Sequence, residues 1–576
     1  MKGIFKILPS FLFETLLLVI YLILVNNYIG NVKTTINADG KGYYEYLPSI
    51  FIHDDFNRKG TTAKSHPELY RRLAIHLDYK DKKLIKYTYG TALLQAPFFG
   101  YAYLTTPLEG NDKDGYQPPF QKAIFHAALF YLFLSLLLLR KILEGYEVRW
   151  SIIALVQLLL ALGTTLTHYV NMDAAYSHIY SMFAITGFLC FASSYFRRPQ
   201  SRNAALMLIF LGLIIIIRPV NTLILLFLPF LAGSWPAFKN GILTFLQDKK
   251  GLLGGLVMAA AMISVQFFLW HQQVGEYFLY SYSGEGFNFA SPEIFNILFS
   301  YQKGLFVYTP VLFIAISSIA WLIIKRRYYQ AFSWLLFFGG ITYVFSSWWA
   351  WHYGCSYGLR AYIEYYPIFF IPFAVMLDHM KSKIKYILIA LALLTIPLNI
   401  IQTYQYKEFI LHWLEMDQKM YWDIFLKTDD KYKGFYFKNR YVNDKYVLAK
   451  EFKFDEIKGA PFKHLKAIKI DGSEVPMLEE VRIVRVKFES DFKSDSDSKL
   501  VFRIDGKQKG QHYYWNEKPL VQFNEEGLDK WQMGFYDYKL RPMPAETEKL
   551  IGLEVMSENF VSPIKHVSIQ FWTEKP

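Results

Sequence analysis

Asn37-Ala38-Asp39-Gly40-Lys41-Gly42-Tyr43-Tyr44-Glu45-Tyr46-Leu47-Pro48-Ser49-Ile50-Phe51-Ile52-His53-Asp54-Asp55 follows directly on the first strongly apolar segment of the chain. Four carboxylates (Asp39, Glu45, Asp54, Asp55) stand here among tyrosines, glycines and one histidine. The rest of the apolar part has no comparable density of acids. A carboxylate where a membrane helix emerges into water is partly desolvated yet reachable, which suits proton abstraction or metal coordination. The bland alternative is a solvated acidic turn, the usual meaning of a lone Asp-Gly. The surroundings decide between the two.

Hydrophobic residues make up 53% of the 576 and charged residues only 19%, too apolar for an ordinary soluble enzyme and in keeping with many membrane spans. The charge is uneven. After Gln402 there are 29 basic and 29 acidic residues, so the whole excess of +13 lies before it. Basic residues beside apolar runs read as membrane anchors or contacts to anionic lipid, not as a nucleic-acid surface. Two cysteines, Cys190 and Cys355, exclude a disulfide framework. Residues 1–30 resemble a signal peptide, but the apolar core is long and no small-residue cleavage site follows, so the segment reads as a retained span.

Apolar runs near 9–29, 120–139, 151–168, 176–196, 203–217, 220–235, 252–270, 305–324, 329–347, 364–377 and 384–402 predict about eleven spans. Alternate loops are basic (Arg140/Lys141/Arg149, Arg197/Arg198/Arg202, Lys239/Lys249/Lys250, Lys325/Arg326/Arg327, Lys381/Lys383/Lys385), which puts them and the N-terminus in the cytoplasm. The Asp39 stretch, His168–Ser177, Arg218-Pro219, His271–Glu293 and Trp348–Arg360 then face outside, as does the C-terminus. The loop 31–86 breaks the pattern with a basic second half, which a long outer loop tolerates and which suits a lipid phosphate. Residues 87–106, interrupted by Gly90, Pro97 and Gly100, predict an interfacial or re-entrant piece. After Gln402 the pattern alternates with period two, as at Val484/Val486/Phe488 and Val567/Ile569/Phe571, with Asp-Gly and Glu-Gly turns. The expected organisation is a membrane domain over 1–402, a connector over 403–460 with helix near the membrane, and an extracytoplasmic β-sandwich over 461–576. Tyr513, Tyr514, Trp515 and Trp531 read as core aromatics of that sandwich before they read as a sugar-stacking surface.

Three outer-face cations accompany the acids: Arg218, Lys303 and Arg360, the last closing Trp348-Trp349-Ala350-Trp351-His352-Tyr353-Gly354-Cys355-Ser356-Tyr357-Gly358-Leu359-Arg360. Cations at membrane depth are costly, and three on the face of one acid cluster suit an anionic ligand such as a lipid phosphate or pyrophosphate. Each has a structural counter-reading. Lys303 snorkels to the interface, Arg218 caps carbonyls freed before Pro219, and the tryptophans form an interfacial belt. His178 is as readily a polar core histidine as a ligand contact.

These elements together resemble the GT-C superfamily of polytopic glycosyltransferases, in a bacterial form. Relatives include protein O-mannosyltransferases and the aminoarabinose transferase that modifies lipid A. The resemblance is carried by Ala38-Asp39-Gly40 with Tyr43-Tyr44, Lys86-Tyr87-Thr88-Tyr89-Gly90 with Pro97-Phe98, Tyr176-Ser177-His178, Arg218-Pro219-Val220-Asn221, Lys303-Gly304 through Pro310, and Ser356-Tyr357-Gly358-Leu359-Arg360. It implies an enzyme of the bacterial inner membrane that transfers a sugar from a polyprenyl-phosphate donor to a periplasmic acceptor (a glycan, lipid or protein) with inversion. Asp39 matches the catalytic acid of the first loop and would be the general base. Several relatives carry adjacent acids there. The adjacent pair here is Asp54-Asp55, so Asp55 stands as a second catalytic candidate, and His53, Asp54 and Asp55 as candidates for a divalent metal. Tyr43, Tyr44, Tyr87, His178, Arg218, Lys303, His352, Tyr357 and Arg360 are the expected substrate contacts. The competing readings are a flippase or transporter of a lipid-linked glycan and a membrane-anchored glycan-binding assembly protein. Against transport stands the near-absence of acids within the spans, Glu14 and Glu364 lying near their ends.

Overall fold

A computed structural model describes residues 11–24, 35–54, 76–79, 82–107, 114–282, 285–414, 416–429, 432, 442, 445–457, 468–490, 499–506, 512–519, 532–540, 543, 548–556 and 564–575. The chain divides into two units, one built mainly of residues 73–407 with 412–426, the other mainly of 427–576.

The first unit is helical. Four helices are long and apolar enough to cross a membrane: Pro118–Gly145, Ser177–Arg197, Lys249–Val274 and Ile384–Lys407. Leu12–Leu24, Trp150–Leu162, Ser201–Ile217, Pro219–Ala232 and Pro310–Ile324 are shorter apolar helices, and Tyr328–Ser346 and Tyr366–His379 are helical too. The expected runs are thus helical, and among the described residues four of them reach the length and apolarity of a full span while the others are shorter. Proline is one reason. Pro219, Pro229, Pro310 and Pro367 each sit in the first turn of a new helical segment, where a missing N–H costs nothing but a preceding helix must stop. Within residues 87–106, expected as an interfacial or re-entrant piece, Gly90–Thr105 is one helix that runs through Pro97. Tyr131 donates to the Leu94 carbonyl at 3.0 Å, next to the Leu93 carbonyl that Pro97 leaves without its i−4 backbone donor.

The core is unusually rich in tyrosine, and most of its hydroxyls find partners, as burial in low dielectric demands. Tyr21 donates to Thr167 O (2.7 Å), Tyr180 to Ala174 O (3.0 Å), Tyr362 to Thr342 Oγ1 (2.8 Å) and Tyr365 to Asn221 Oδ1 (3.0 Å). A small hairpin, β1 (His76–Tyr79) and β2 (Lys82–Ile85), lies in the first-loop region. Gln273 and Gln266 of the Lys249–Val274 helix accept from Ile85 N and Tyr89 N, both at 2.8 Å.

The second unit holds two antiparallel four-stranded sheets among the described residues. One is ordered β3 (Tyr446–Ile457), β10 (Ile564–Glu574), β5 (Val481–Ser490), β8 (Gln532–Lys539). The other is ordered β4 (Ile468–Asp471), β9 (Lys549–Met556), β6 (Lys499–Gly506), β7 (His512–Pro519). They face one another through Phe502 and Tyr538, whose rings are 5.1 Å apart. The predicted sandwich is therefore present, but it begins earlier than 461, because β3 falls inside the expected connector and pairs with β10 along its length. Val484, Val486 and Phe488 are buried as their alternation requires. The alternation fails on β10, where Ser568 and Gln570 are buried as well. The strand is central, and both side chains donate to Glu451 on β3 (2.6 and 3.0 Å). Trp515 is 43% exposed rather than core. Trp531 lies outside the described residues.

Candidate active site

The Asp39 stretch becomes two short helices, Ala38–Tyr44 and Tyr46–Phe51. Its entry is fixed from outside. The Gln121 side chain accepts from Thr35 N and Ile36 N (2.8 Å each), and Asn37 Nδ2 donates to Met172 O at 3.2 Å. Ala38 has φ 36°, a left-handed conformation a non-glycine residue adopts only under constraint. Gly40 packs closely on Ala175 and Tyr176: a Cβ there would stand 2.8 Å from Ala175 Cβ and 3.1 Å from the Tyr176 ring. The Asp-Gly pair is thus a docking point, not a loose turn.

Asp39 Oδ2 meets Arg360 Nη1 at 2.7 Å, with the carboxylate side chain 33% exposed. Burial pushes the Asp39 carboxyl up, but the Arg360 charge, a Tyr87 hydrogen bond and the Lys86 charge outweigh it, and the group sits below its ordinary value. The Arg360 guanidinium also lies over the Tyr176 ring, 5.6 Å from its centre. Tyr43 and Tyr87 stack at 4.2 Å, and Tyr282 meets Tyr87 edge-on at 6.2 Å. Lys86 pairs with Glu285 and lies 4.8 Å from the Tyr282 ring centre. The result is an ion pair reachable from outside, walled by aromatic rings.

The other acids of the stretch go elsewhere. Glu45 is fully buried and accepts from the Tyr116 and Ser49 hydroxyls. Asp54 ends the stretch with φ 45°, and Asp55 lies outside the described residues. Among the described residues no group of three His, Cys, Asp or Glu side chains is placed to hold a metal ion, so His53 and Asp54 gain no third ligand there.

Arg218 and Arg360 take different partners. The Ser201–Ile217 helix ends at Arg218, and Thr88 rather than Arg218 takes the freed Ile217 carbonyl (3.0 Å). Arg218 Nη1 donates instead to Glu364 Oε1 at 2.6 Å, and His178 Nδ1 lies 3.3 Å from both. Glu364 is fully buried, and its Oε2 has no hydrogen-bond partner. Sequence reading noted Glu364 only as an acid near a span end, not as the partner of Arg218. Its spacing of four from Arg360 hints at a helical pair with that residue, whereas the fold crosses the partners.

Lys303 is 1% exposed, and its amine donates to the carbonyls of Ser356 and Trp413. Burial pushes that amine down to about 7, although two carbonyl acceptors favour its charged form. It clamps the turn that delivers Arg360. Tyr357 points into the core, donating to Asn399 Oδ1 (3.1 Å) and Gln402 Oε1 (3.3 Å). Tyr44 likewise points inward, to Gly115 O at 2.5 Å. His352 accepts from Gly354 N at 3.1 Å within the same turn. A residue that sequence reading passed over is Asp173, whose Oδ2 meets His168 Nε2 at 2.8 Å. It sits in the 168–177 turn that docks Asp39, and its only sequence signal is an acid in an otherwise apolar outer loop.

Fold and site together define a helical membrane protein with an extra β-unit and an aromatic-walled acid–arginine pair between its helix ends. The chain is similar to solved structures of an archaeal oligosaccharyltransferase, AglB from Archaeoglobus fulgidus. With the complex holding an inhibitory peptide and a dolichol-phosphate it shares 12% identity, over 71% of this chain and 57% of that one, at TM-score 0.39. With the apo form the figures are 12%, 72%, 58% and 0.39. With the form tethered to an acceptor peptide they are 13%, 72%, 56% and 0.40. The chain thus spans somewhat over half the length of these proteins. No known protein family and no curated protein matches it.

Proposed function

We propose that the protein is a membrane glycosyltransferase that moves a sugar from a polyprenyl-phosphate donor to an acceptor at the periplasmic face of a bacterial inner membrane. The observation that carries this is the Asp39–Arg360 pair: a carboxylate kept ionised and partly exposed, 2.7 Å from a guanidinium, beside stacked Tyr43 and Tyr87. Asp39 takes the proton from the acceptor hydroxyl or amine as that atom attacks the anomeric carbon. The bond from that carbon to the phosphate oxygen breaks, and Arg360 receives the charge that grows on the leaving phosphate. Attack opposite the leaving group inverts the anomeric centre. The tyrosine faces offer apolar walls to a sugar ring. Arg218 is held by Glu364 at one edge of this wall, its field reaching Tyr43, Tyr282 and Tyr353.

The test is turnover by purified protein in lipid, with a panel of polyprenyl-phosphate sugars. Asp39→Asn removes the base and keeps the shape. Turnover falls by about 10²–10⁴ while donor binding persists; turnover equal to wild type in this variant and in Asp55→Asn overturns the reading and favours transport of the lipid-linked glycan.

A further inference from the structure

The helices Ser177–Arg197 and Ser201–Ile217 and the segment Pro219–Ala232 enclose a cavity of about 160 Å³ with no polar lining. Phe188, Met207, Leu211, Leu225 and Leu228 form most of its wall. Tyr195, also in the wall, keeps a buried hydroxyl with no hydrogen-bond partner. Apolar cavities of this size stay free of water and take up apolar guests.

The cavity is roofed by the helix Trp235–Gln247, none of whose residues is buried. Phe238, Gly241 and Phe245 turn inward. Phe245 meets Tyr195 at 5.7 Å, Phe238 meets Phe196 at 6.2 Å, and a Cβ on Gly241 would stand 2.5 Å from the Phe196 ring. Trp235, Leu243 and Leu246 turn outward, 60%, 47% and 62% exposed. This is the build of a helix lying in a bilayer interface. Around it stand Arg197, Arg198, Arg202, Lys239, Lys249 and Lys250, all exposed, and among the described residues none forms an ion pair with a carboxylate. The one acid between 197 and 250 is Asp248. It is engaged with Ser201 Oγ (2.7 Å) and Gly251 N (3.0 Å), which joins the two basic helix ends.

From this we infer a binding site for an anionic phospholipid: part of one acyl chain enters the cavity beneath the Trp235–Gln247 helix and the headgroup phosphate is held by the surrounding cations. Charge complementarity selects the occupant. A neutral lipid would fill the cavity but leave six cations unanswered, and a soluble anion would leave the cavity empty. The site is separate from the proposed transfer reaction and does not depend on it.

Native mass spectrometry and thermal unfolding of the full-length protein in detergent test this, with dioleoyl phosphatidylglycerol, dioleoyl phosphatidylcholine and glycerol 3-phosphate as probes. The expected result is one phosphatidylglycerol retained at least tenfold over phosphatidylcholine, a rise in Tm with phosphatidylglycerol, and no shift with glycerol 3-phosphate. Leu225→Trp, which fills the cavity, loses the retained lipid; Leu211→Phe serves if that variant does not fold. Arg198→Glu/Arg202→Glu abolishes the preference between the two lipids. Equal retention of both lipids by wild type, or undiminished retention after the cavity is filled, overturns the proposal.

Discussion

At the residue scale, Asp39 is governed by two opposed influences, and removing one of them has a definite sign. Burial, the larger, disfavours the carboxylate; Arg360, Tyr87 and Lys86 favour it and together win. A carboxyl held below its ordinary value is ionised throughout the neutral range and protonates only as pH falls through that lowered value. Arg360→Gln deletes the strongest favourable influence, so the Asp39 carboxyl titrates at a higher pH than in the wild type. The acid limb of the kcat/KM profile moves to higher pH, and kcat falls through loss of the phosphate contact. A profile whose acid limb stays in place while activity drops shows that Arg360 acts only on the donor. Arg218 and Glu364 supply a second test. The pair is buried, and breaking it from one side leaves an uncompensated charge, at a cost of about 3–5 kcal/mol. Glu364→Gln and Arg218→Gln each lower the Tm. The double variant recovers part of the loss, and strictly additive losses in a double-mutant cycle would deny the pairing.

At the scale of elements, the site is a meeting of three short turns, each held by contacts that involve no reacting group. Gly40 seats the Asp39 helix on Ala175–Tyr176. Gly358 turns the chain into Arg360 with φ +61°, and a Cβ there would stand 3.0 Å from Thr165 Cγ2 and 3.1 Å from Tyr308 Cβ. Gly358→Ala therefore meets both a backbone penalty and a clash, about 1–3 kcal/mol for the conformation alone. The expected outcome is a protein that folds with a lower Tm and loses turnover at least tenfold, with Asp39 and Arg360 intact. A Tm loss without a turnover loss would show that the turn does not set the arginine. This is also where the sequence was readable and where it was not. Asp39, Arg218 and Arg360 stand out as charges at the ends of apolar runs, and the fold puts all three at helix ends. That Asp39 pairs with Arg360 while Glu364 turns to Arg218 depends on contacts across 321 and 146 positions, which no local periodicity encodes. Lys303 shows the same limit. A lysine beginning an apolar run reads as a free cation, and only the packed loops reveal two carbonyls around it. Glu45 was grouped with Asp39 by proximity in sequence, but a helical turn separates them and sends Glu45 to Tyr116.

At the scale of the whole molecule, the two units have separate sources of stability. The helical unit depends on apolar helices and tyrosine hydroxyls that find carbonyls. The β-unit is held at its centre by a charge network: Arg485 grips Asp537 with two bonds, 2.7 and 2.8 Å, and Lys518, fully buried, donates to Asp537 O at 2.8 Å. Asp537 is itself fully buried. Replacing it with asparagine leaves Arg485 as a largely buried cation without its anion, while the main-chain bond to Lys518 remains, a loss of about 3–5 kcal/mol. A small sandwich has only about 5–15 kcal/mol to lose. Scanning calorimetry of the full chain should therefore show the β-unit melting well below its wild-type temperature in Asp537→Asn, with the helical transition unmoved. If the sugar-transfer chemistry resides wholly between Asp39 and Arg360, turnover below the lowered transition stays at the wild-type level. A fall in turnover while the β-unit is still folded would assign Asp537 or its neighbours a part in binding the acceptor. A single transition that shifts as one would show that the units unfold together, and would place the stability of the site under the control of a carboxylate nearly 500 residues along the chain from Asp39.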